Sequence, residues 1–285
     1  MNNIKYFFQF LIIIFLFSIF KILGLKTSSF IGGKLFEFLG PFFRSNKLIY
    51  SNIKKAFPDL SLENTKKIKN KMWNNYGRVF AEYMFLKKLR KNRSENLIID
   101  GKQILDDIKN NNQKVIFISG HFSNFELMAM FIEKSGIKLS AIYRPLNNVF
   151  LNIIMERIRK KYICKNQIKK GIGGLKELIR LYKEGYSTAL MVDQRVSEGI
   201  KSYFFNEKAF TTTIPAQLVK RYNLPIVPIF IERVEDVKFK MKVYEPIHFS
   251  KESSMNDITD NLNKIIENLI LKNPNHWIWS HNRWK

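Results

Sequence analysis

The chain has 285 residues, 46% of them hydrophobic, enough to bury one large core, which excludes a disordered polymer. Its single cysteine, Cys164, excludes an intramolecular disulfide and fits a reducing compartment. With 48 Lys and Arg against 24 Asp and Glu, the net charge is +24, a field that favours anionic partners such as phospholipid surfaces, acidic proteins, phosphorylated substrates or nucleic acid. Part of that charge is discounted, because the chain is also rich in Asn, Ile and Phe.

In chain order, the most apolar stretch is Ile4 to Leu25, interrupted only by Lys5, Gln9, Ser18 and Lys21 before Gly24. As a helix it extends about 33 Å, against a hydrocarbon core of about 30 Å, so residues 1–26 read as a transmembrane or membrane-anchoring helix. No small-x-small cleavage site follows it, which weighs against a signal peptide. Lysines flank both ends and leave the orientation open; the basic body favours the cytoplasmic leaflet.

Residues 27–96 read as helical and membrane-proximal, with expected breaks at Gly40-Pro41 and Pro58-Asp59. From Ser61 onward a long amphipathic helix gathers Ile68, Met72, Tyr76, Val79, Phe80 and Tyr83 near one face. That face suits a core, or a bilayer surface with Trp73, Tyr76 and Tyr83 at headgroup level.

Residues 97–285 read as an α/β body: a mixed, mostly parallel central sheet flanked by helices. Strands are expected at Val115–Ser119, Leu139–Tyr143, Ser187–Val192, Ile226–Glu232 and Val237–Tyr244, the last two as an antiparallel hairpin at one edge. Helices are expected near 124–134, 148–161, 173–184, 213–222 and 254–272.

The chemistry-bearing stretch is Ser119-Gly120-His121-Phe122-Ser123-Asn124-Phe125-Glu126, a turn from an apolar strand into an apolar helix. A histidine at the carboxyl end of a strand lies where α/β sheets open a ligand crevice. Two readings of the His121–Glu126 spacing stand open. Glu126 orients His121 as a general base, or Ser123-x-x-Glu126 is a helix capping box. Tyr143-Arg144-Pro145 and Asp193-Gln194-Arg195 follow two other strands and emerge beside His121 if those strands are parallel. Arg144 there suits a phosphate or an acyl oxyanion.

The four histidines, at 121, 248, 276 and 281, carry no pattern resembling a metal site. Gly171-Ile172-Gly173-Gly174 lacks the lysine of a phosphate cradle and reads as a tight turn. Nucleic-acid motifs are absent, so no nucleic-acid partner is expected.

Beyond these single features an ordered set runs along the chain. It comprises Asn52-Ile53 to Ala56-Phe57-Pro58, Gly77-Arg78 to Glu82, Ser119-Gly120-His121 to Glu126 and Tyr143-Arg144-Pro145. Further on stand Asp193-Gln194-Arg195 to Glu198-Gly199-Ile200, Phe204-Phe205, Pro225 to Pro228 and the aromatic-basic end from Trp277 to Lys285. In these motifs the chain resembles the late acyltransferases of lipid A biosynthesis, the lauroyl and myristoyl transferases within the His-x4-Asp/Glu glycerolipid acyltransferase superfamily. It departs from that pattern at Ser123 and Asn206, where glycine is usual, and at Phe125, where Trp is usual. A usual glycine at 123 argues against a side-chain cap and for a chemical role of Glu126.

The resemblance implies transfer of a fatty acyl group from an acyl carrier protein thioester to a hydroxyl of a phosphorylated lipid A precursor, at an anionic membrane surface. It implies His121 and Glu126 as the catalytic pair, with Arg144, Asp193, Gln194, Asn124 and Arg195 as substrate-binding residues and neither cofactor nor metal. Coenzyme A as donor stays open. So do a lysophospholipid, glycerol phosphate or other glycolipid acceptor, and a non-catalytic, basic, membrane-anchored binding protein.

Overall fold

A computed structural model describes residues 2–91 and 93–285 of the chain. Four helices come first: α1 (Asn2–Leu23), α2 (Leu25–Phe43), α3 (Asn46–Ala56) and α4 (Leu62–Glu82), with α4 capped by the Ser61 side chain accepting from the Asn64 amide. Helix α1, with a mean hydropathy of 2.3 over Asn3–Leu23, is long and apolar enough to cross a membrane. Helix α2 does not break at Gly40-Pro41. It runs on to Phe43, and Gly40 instead admits the Trp73 ring, which a Cβ there would meet at 2.2 Å.

The apolar face of α4 is core. Trp73 and Tyr83 are 4% and 6% exposed, so the alternative in which this face lies on a bilayer is corrected. Helix α2 covers it, and the two backbones touch where Gly32 meets Gly77: a Cβ on Gly77 would stand 1.9 Å from the Gly32 carbonyl oxygen. Only glycine permits that approach.

The rest of the chain is α/β. Two short helices, α5 (Leu86–Lys91) and α6 (Arg93–Asn96), lead to β1 (Leu97–Asp100), α7 (Lys102–Asn110), β2 (Ile116–Ser119), α8 (Glu126–Lys134) and β3 (Leu139–Tyr143). Then come α9 (Val149–Tyr162), β4 (Asn166–Lys169), α10 (Ile172–Lys183), β5 (Ser187–Met191), β6 (Ile200–Phe204) and β7 (Glu207–Thr211). The chain continues through α11 (Ile214–Tyr222), β8 (Ile226–Glu235), β9 (Lys238–Val243) and α12 (Met255–Lys272), the last closed by a Ser254–Asp257 capping box.

Among the described residues, seven strands form one sheet in the order β1-β9-β8-β2-β5-β3-β4. Strands β8, β2, β5, β3 and β4 are parallel; β9 returns antiparallel to β8. The β8–β9 hairpin is not an edge, because β1, four residues long and missed in the sequence, pairs parallel outside β9. Strand β4 and the β6–β7 hairpin were also missed. The hairpin turns at Phe205-Asn206 with φ of 49° and 62°, so Asn206 accepts the left-handed conformation that a glycine would adopt freely.

The apolar runs explain the centre of the sheet. Ile116, Phe117 and Ile118 are almost fully buried, as a parallel strand covered on both faces requires. The parallel alignment brings the carboxyl ends of β2, β5 and β3 to one edge of the molecule, where the polar turns converge.

Candidate active site

Strand β2 ends at Ser119, whose hydroxyl donates to the Ile229 carbonyl at 2.6 Å and anchors the strand end to β8. Gly120 follows, with the Phe122 ring and the Asp193 carboxyl so close that a Cβ would lie 2.8 and 3.2 Å from them. His121 then turns out of the sheet. Ser123 takes φ = 45°, a left-handed conformation that explains why glycine would serve there.

This turn is held from every side. The His121 amide donates to Asp193 Oδ2 at 2.8 Å, the Ser123 amide donates to the His276 carbonyl at 3.1 Å, and Asn75 donates to the Ser123 carbonyl at 3.3 Å. Asn124 donates to Glu82 at 2.8 Å, and Glu82, wholly buried, is gripped in turn by Arg233.

The carboxylate on the imidazole is Asp193. Strands β2 and β5 are neighbours with Ser119 opposite Met191, so the residues two places further on, His121 and Asp193, also face each other. Asp193 Oδ1 lies 2.8 Å from His121 Nδ1, and its Oδ2 also accepts from the indole Nε1 of Trp277 at 2.8 Å. Burial pushes the Asp193 carboxyl up, but the charge of His121 and the hydrogen bonds from His121 and Trp277 outweigh it and leave the group at about 2. An ionised Asp193 therefore holds the proton on Nδ1 and leaves Nε2 to face outward, 3.5 Å from the Gln194 amide nitrogen. The Phe125 ring stands edge-on to the imidazole at 4.8 Å.

Glu126 does not orient His121, and it forms no capping box. It is the first residue of α8, the preceding cap residue is Phe125, and no side chain caps the helix. The Glu126 carboxylate accepts instead from Arg159 of α9, at 3.0 Å from Nε and 2.5 Å from Nη2, and lies 3.4 Å from the Tyr83 hydroxyl. Burial lowers the Arg159 pKa, but Glu126 and Tyr83 more than offset it and keep the guanidinium charged. This pairing is not legible in the sequence, because Arg159 sits in a basic run where nothing distinguishes it.

His121 opens on a cavity of about 310 Å³ between the carboxyl half of the sheet and α8. The solvent-reached part of its lining, its mouth, carries His121, Arg144, Arg159, Lys170, Gln194 and Arg195, and Glu126 is buried on the same wall. Its depth is apolar, with Phe117, Met128, Ala129, Ile132 and Ile163. Ala141 and Ala189 sit side by side on β3 and β5, and their small side chains leave the space that larger ones would fill. The cavity joins a titratable pair to an apolar slot.

Of the expected site residues, Arg144, Gln194 and Arg195 reach this cavity with His121 and Glu126. Asp193 stands behind His121, fully buried. Asn124 is not on the cavity wall; its contact with Glu82 makes it a brace of the turn. Arg195 is tethered at the rim, donating to the Lys285 carbonyl at 2.9 Å and to Ser197 at 3.1 Å. The amides of His121, Phe122 and Ser123 all donate to internal acceptors, so they are not open to an oxyanion. Cys164 is buried, and that burial pushes its thiol up to about 12. No group of metal-ligating side chains forms among the described residues.

Trp277 is the functional residue whose role sequence reasoning missed. The carboxyl end of the chain folds back under the site: Trp277 and Trp279 meet edge to face at 4.6 Å, and Asn52 donates to the carbonyls of Trp279 and His281, both at 2.8 Å. Only the clustering of aromatics there signalled it.

A family model described as bacterial lipid A biosynthesis acyltransferase matches residues 1–285. The chain belongs to that family. Among curated relatives, it is 26% identical over 183 residues to lipid A biosynthesis acyltransferase 2 of Shigella flexneri, a match covering 63% of this chain and 58% of that protein. It is 22% identical over 182 residues to the lipid A biosynthesis myristoyltransferase of Escherichia coli (strain K12), covering 63% and 56%. It is 24% identical over 251 residues to the lauroyltransferase of the same strain, covering 85% and 79%. The first two matches thus span a little over half the length of those relatives. The chain's own His121-x4-Glu126 spacing is here a histidine on a cavity wall and a glutamate on the same wall, each with a different partner.

Proposed function

We propose that the chain is an O-acyltransferase that moves a fatty acyl group from an acyl carrier protein thioester to a hydroxyl of a phosphorylated lipid A precursor. The observation that carries this reading is the His121–Asp193 pair facing a cavity with a cationic mouth and an apolar depth. Membership of the family and the names of its relatives support the acceptor class. The net charge of +24 supports an acidic donor protein and an anionic membrane, with the body on the cytoplasmic face.

His121 Nε2 takes the proton of the acceptor hydroxyl while Asp193 stabilises the imidazolium that forms. The hydroxyl oxygen bonds to the thioester carbonyl carbon, and a tetrahedral oxyanion results. When it collapses, the carbon–sulfur bond breaks and the thiolate takes the proton from Nε2, so the histidine ends as it began. Arg144 and Gln194, both on the cavity wall, are the donors placed to meet the oxyanion, and a donor of this kind contributes about 10²–10³ in rate. Glu126 holds Arg159 charged at the mouth, where a guanidinium suits a phosphate of donor or acceptor. The acyl chain occupies the apolar depth.

The test is an assay of purified enzyme with a tetraacylated lipid A precursor and defined acyl donors, read by mass spectrometry. One added acyl chain, lost in His121→Ala, is the expected result. Acylation of a lysophospholipid but not of the precursor would reassign the acceptor, and full activity of His121→Ala would remove the catalytic role of His121.

A further inference from the structure

Helix α2 is built inside out for a protein in water. Its inward face carries Ser28, Ser29, Gly32 and Gly33, all buried, with the two glycines against α4 and Ser29 donating to the buried Glu82 at 2.6 Å. Its outward face carries Phe30, Phe38 and Phe42, exposed by 54%, 72% and 80%. Small and polar residues at a helix contact, with large apolar ones turned out, is the arrangement of helices whose outer solvent is lipid. Helix α1 adjoins it, with Ser28 Oγ donating to the Phe20 carbonyl at 2.6 Å, and likewise exposes large apolar side chains, Phe8, Ile12 and Phe15.

Helix α1 also fails to stand away from the body. Near its start, the Asn148 amide donates to the Tyr6 carbonyl at 2.8 Å, while Phe7 and Phe10 pack on Phe150 of α9 at 5.6 and 5.9 Å. Near its end, Phe17 and Phe20 pack on Phe80 of α4 at 4.9 and 6.3 Å. From Tyr6 to Phe20, about 21 Å of helix lies along the body. A helix spanning the bilayer would carry the contacts at its start to the far side. Helix α9 cannot follow it there, since its last turn carries Arg159, Lys160 and Lys161 and Arg159 lines the cavity.

The geometry points to a one-sided insertion: α1 and α2 lie side by side in a single leaflet of an anionic phospholipid bilayer, with the start of α9 at their edge and the amino terminus on the same side as the catalytic body. The occupant is a bilayer rather than a second copy, because α1 and α2 carry Lys5, Lys21, Lys26 and Lys34, with Arg44 at the end of α2, against the single acid Glu37, in a chain of charge +24. Such a surface repels its own copy and attracts anionic headgroups. The exposed Val149 and Ile153 of α9 extend the face towards the cavity mouth, which places the slot where an acyl chain leaves the membrane. This inference deepens the membrane part of the proposed function and does not depend on acyl transfer.

The test uses the full chain with the buried cysteine removed (Cys164→Ala) and single cysteines introduced at Asn3, Phe38, Phe42 or Lys183. In spheroplasts and inverted inner-membrane vesicles, a membrane-impermeant maleimide should label Asn3→Cys in the same preparation as Lys183→Cys on the body. Labelling of the two from opposite sides would overturn the one-sided insertion. With a nitrobenzoxadiazole dye on Phe38→Cys or Phe42→Cys, phosphatidylglycerol vesicles without donor or acceptor should blue-shift the emission and remove most iodide quenching. Unchanged quenching at both positions would overturn the lipid contact of α2. Disulfide-linked dimers through Phe38→Cys in those vesicles would assign the face to a second copy instead.

Discussion

His121 and Asp193 lie two residues beyond the paired ends of β2 and β5, and the Asp193 carboxylate holds both the backbone amide and the ring Nδ1 of His121 at 2.8 Å. One carboxylate thus sets both the position of the turn and the tautomer of the base. Glu126 is held elsewhere, by Arg159.

Exchanging the two carboxylates for amides separates their roles. Asp193→Asn should lower kcat by roughly 10²–10⁴, the range of a general base, with KM close to wild type. Glu126→Gln keeps a hydrogen bond to Arg159 but loses the charge, so it should act mainly on KM. Steady-state kinetics with one donor and one acceptor reads both. A large kcat loss in Glu126→Gln with an active Asp193→Asn would return the orienting role to Glu126.

Trp277→Phe removes one N–H from Asp193 and keeps the ring packed against Phe204 and Trp279. A hydrogen bond to a charged group contributes about 1.5–3 kcal/mol. The loss should divide between a lower kcat and a lower unfolding free energy, measured by urea titration. Loss of stability alone would make Trp277 purely structural.

Ala141 and Ala189 stand side by side on the sheet and line the cavity. Ala141→Leu should shorten the preferred donor chain, since each methylene refused burial forfeits about 0.8 kcal/mol, roughly a fourfold change in preference. Competition between donors of two lengths, read by mass spectrometry, gives the ratio. An unchanged ratio would place the acyl chain elsewhere.

Acid should destabilise the fold in two steps. Burial lowers His276 and His281 from 6.5 to about 4, so between those values the unfolded chain binds more protons. Stability then falls as pH drops from 6.5 towards 4, by at most about 1.4 kcal/mol per pH unit for each histidine. Asp193 is lowered from 3.8 to about 2, so its contribution is complete above 3.8 and is lost as pH falls through about 2. Urea midpoints between pH 7 and 4.5 should decline less steeply in His281→Asn.

What the sequence determined by itself was local. The apolar run of α1, the turn at Ser119–Glu126 and two other polar strand ends were legible, because side-chain periodicity and turn chemistry act over a few residues. Strands β1 and β4 and the β6–β7 hairpin were not: each is half exposed and lacks the continuous buried apolar run that marks β2, and β1 and β4 are strands only because distant segments pair with them.

The tertiary structure alone decided which carboxylate meets His121. Asp193 arrives because the sheet inserts β5 beside β2, a non-local choice that no spacing near His121 encodes. It also decided which helix turns to lipid. Trp73 of α4 and Tyr83 just beyond it had the composition for a membrane surface, yet both are buried, Trp73 because Gly40 lets α2 lie over its ring, and that leaves the phenylalanines of α2 outside. Composition records how apolar a helix is, but its orientation follows from what the rest of the chain packs against it.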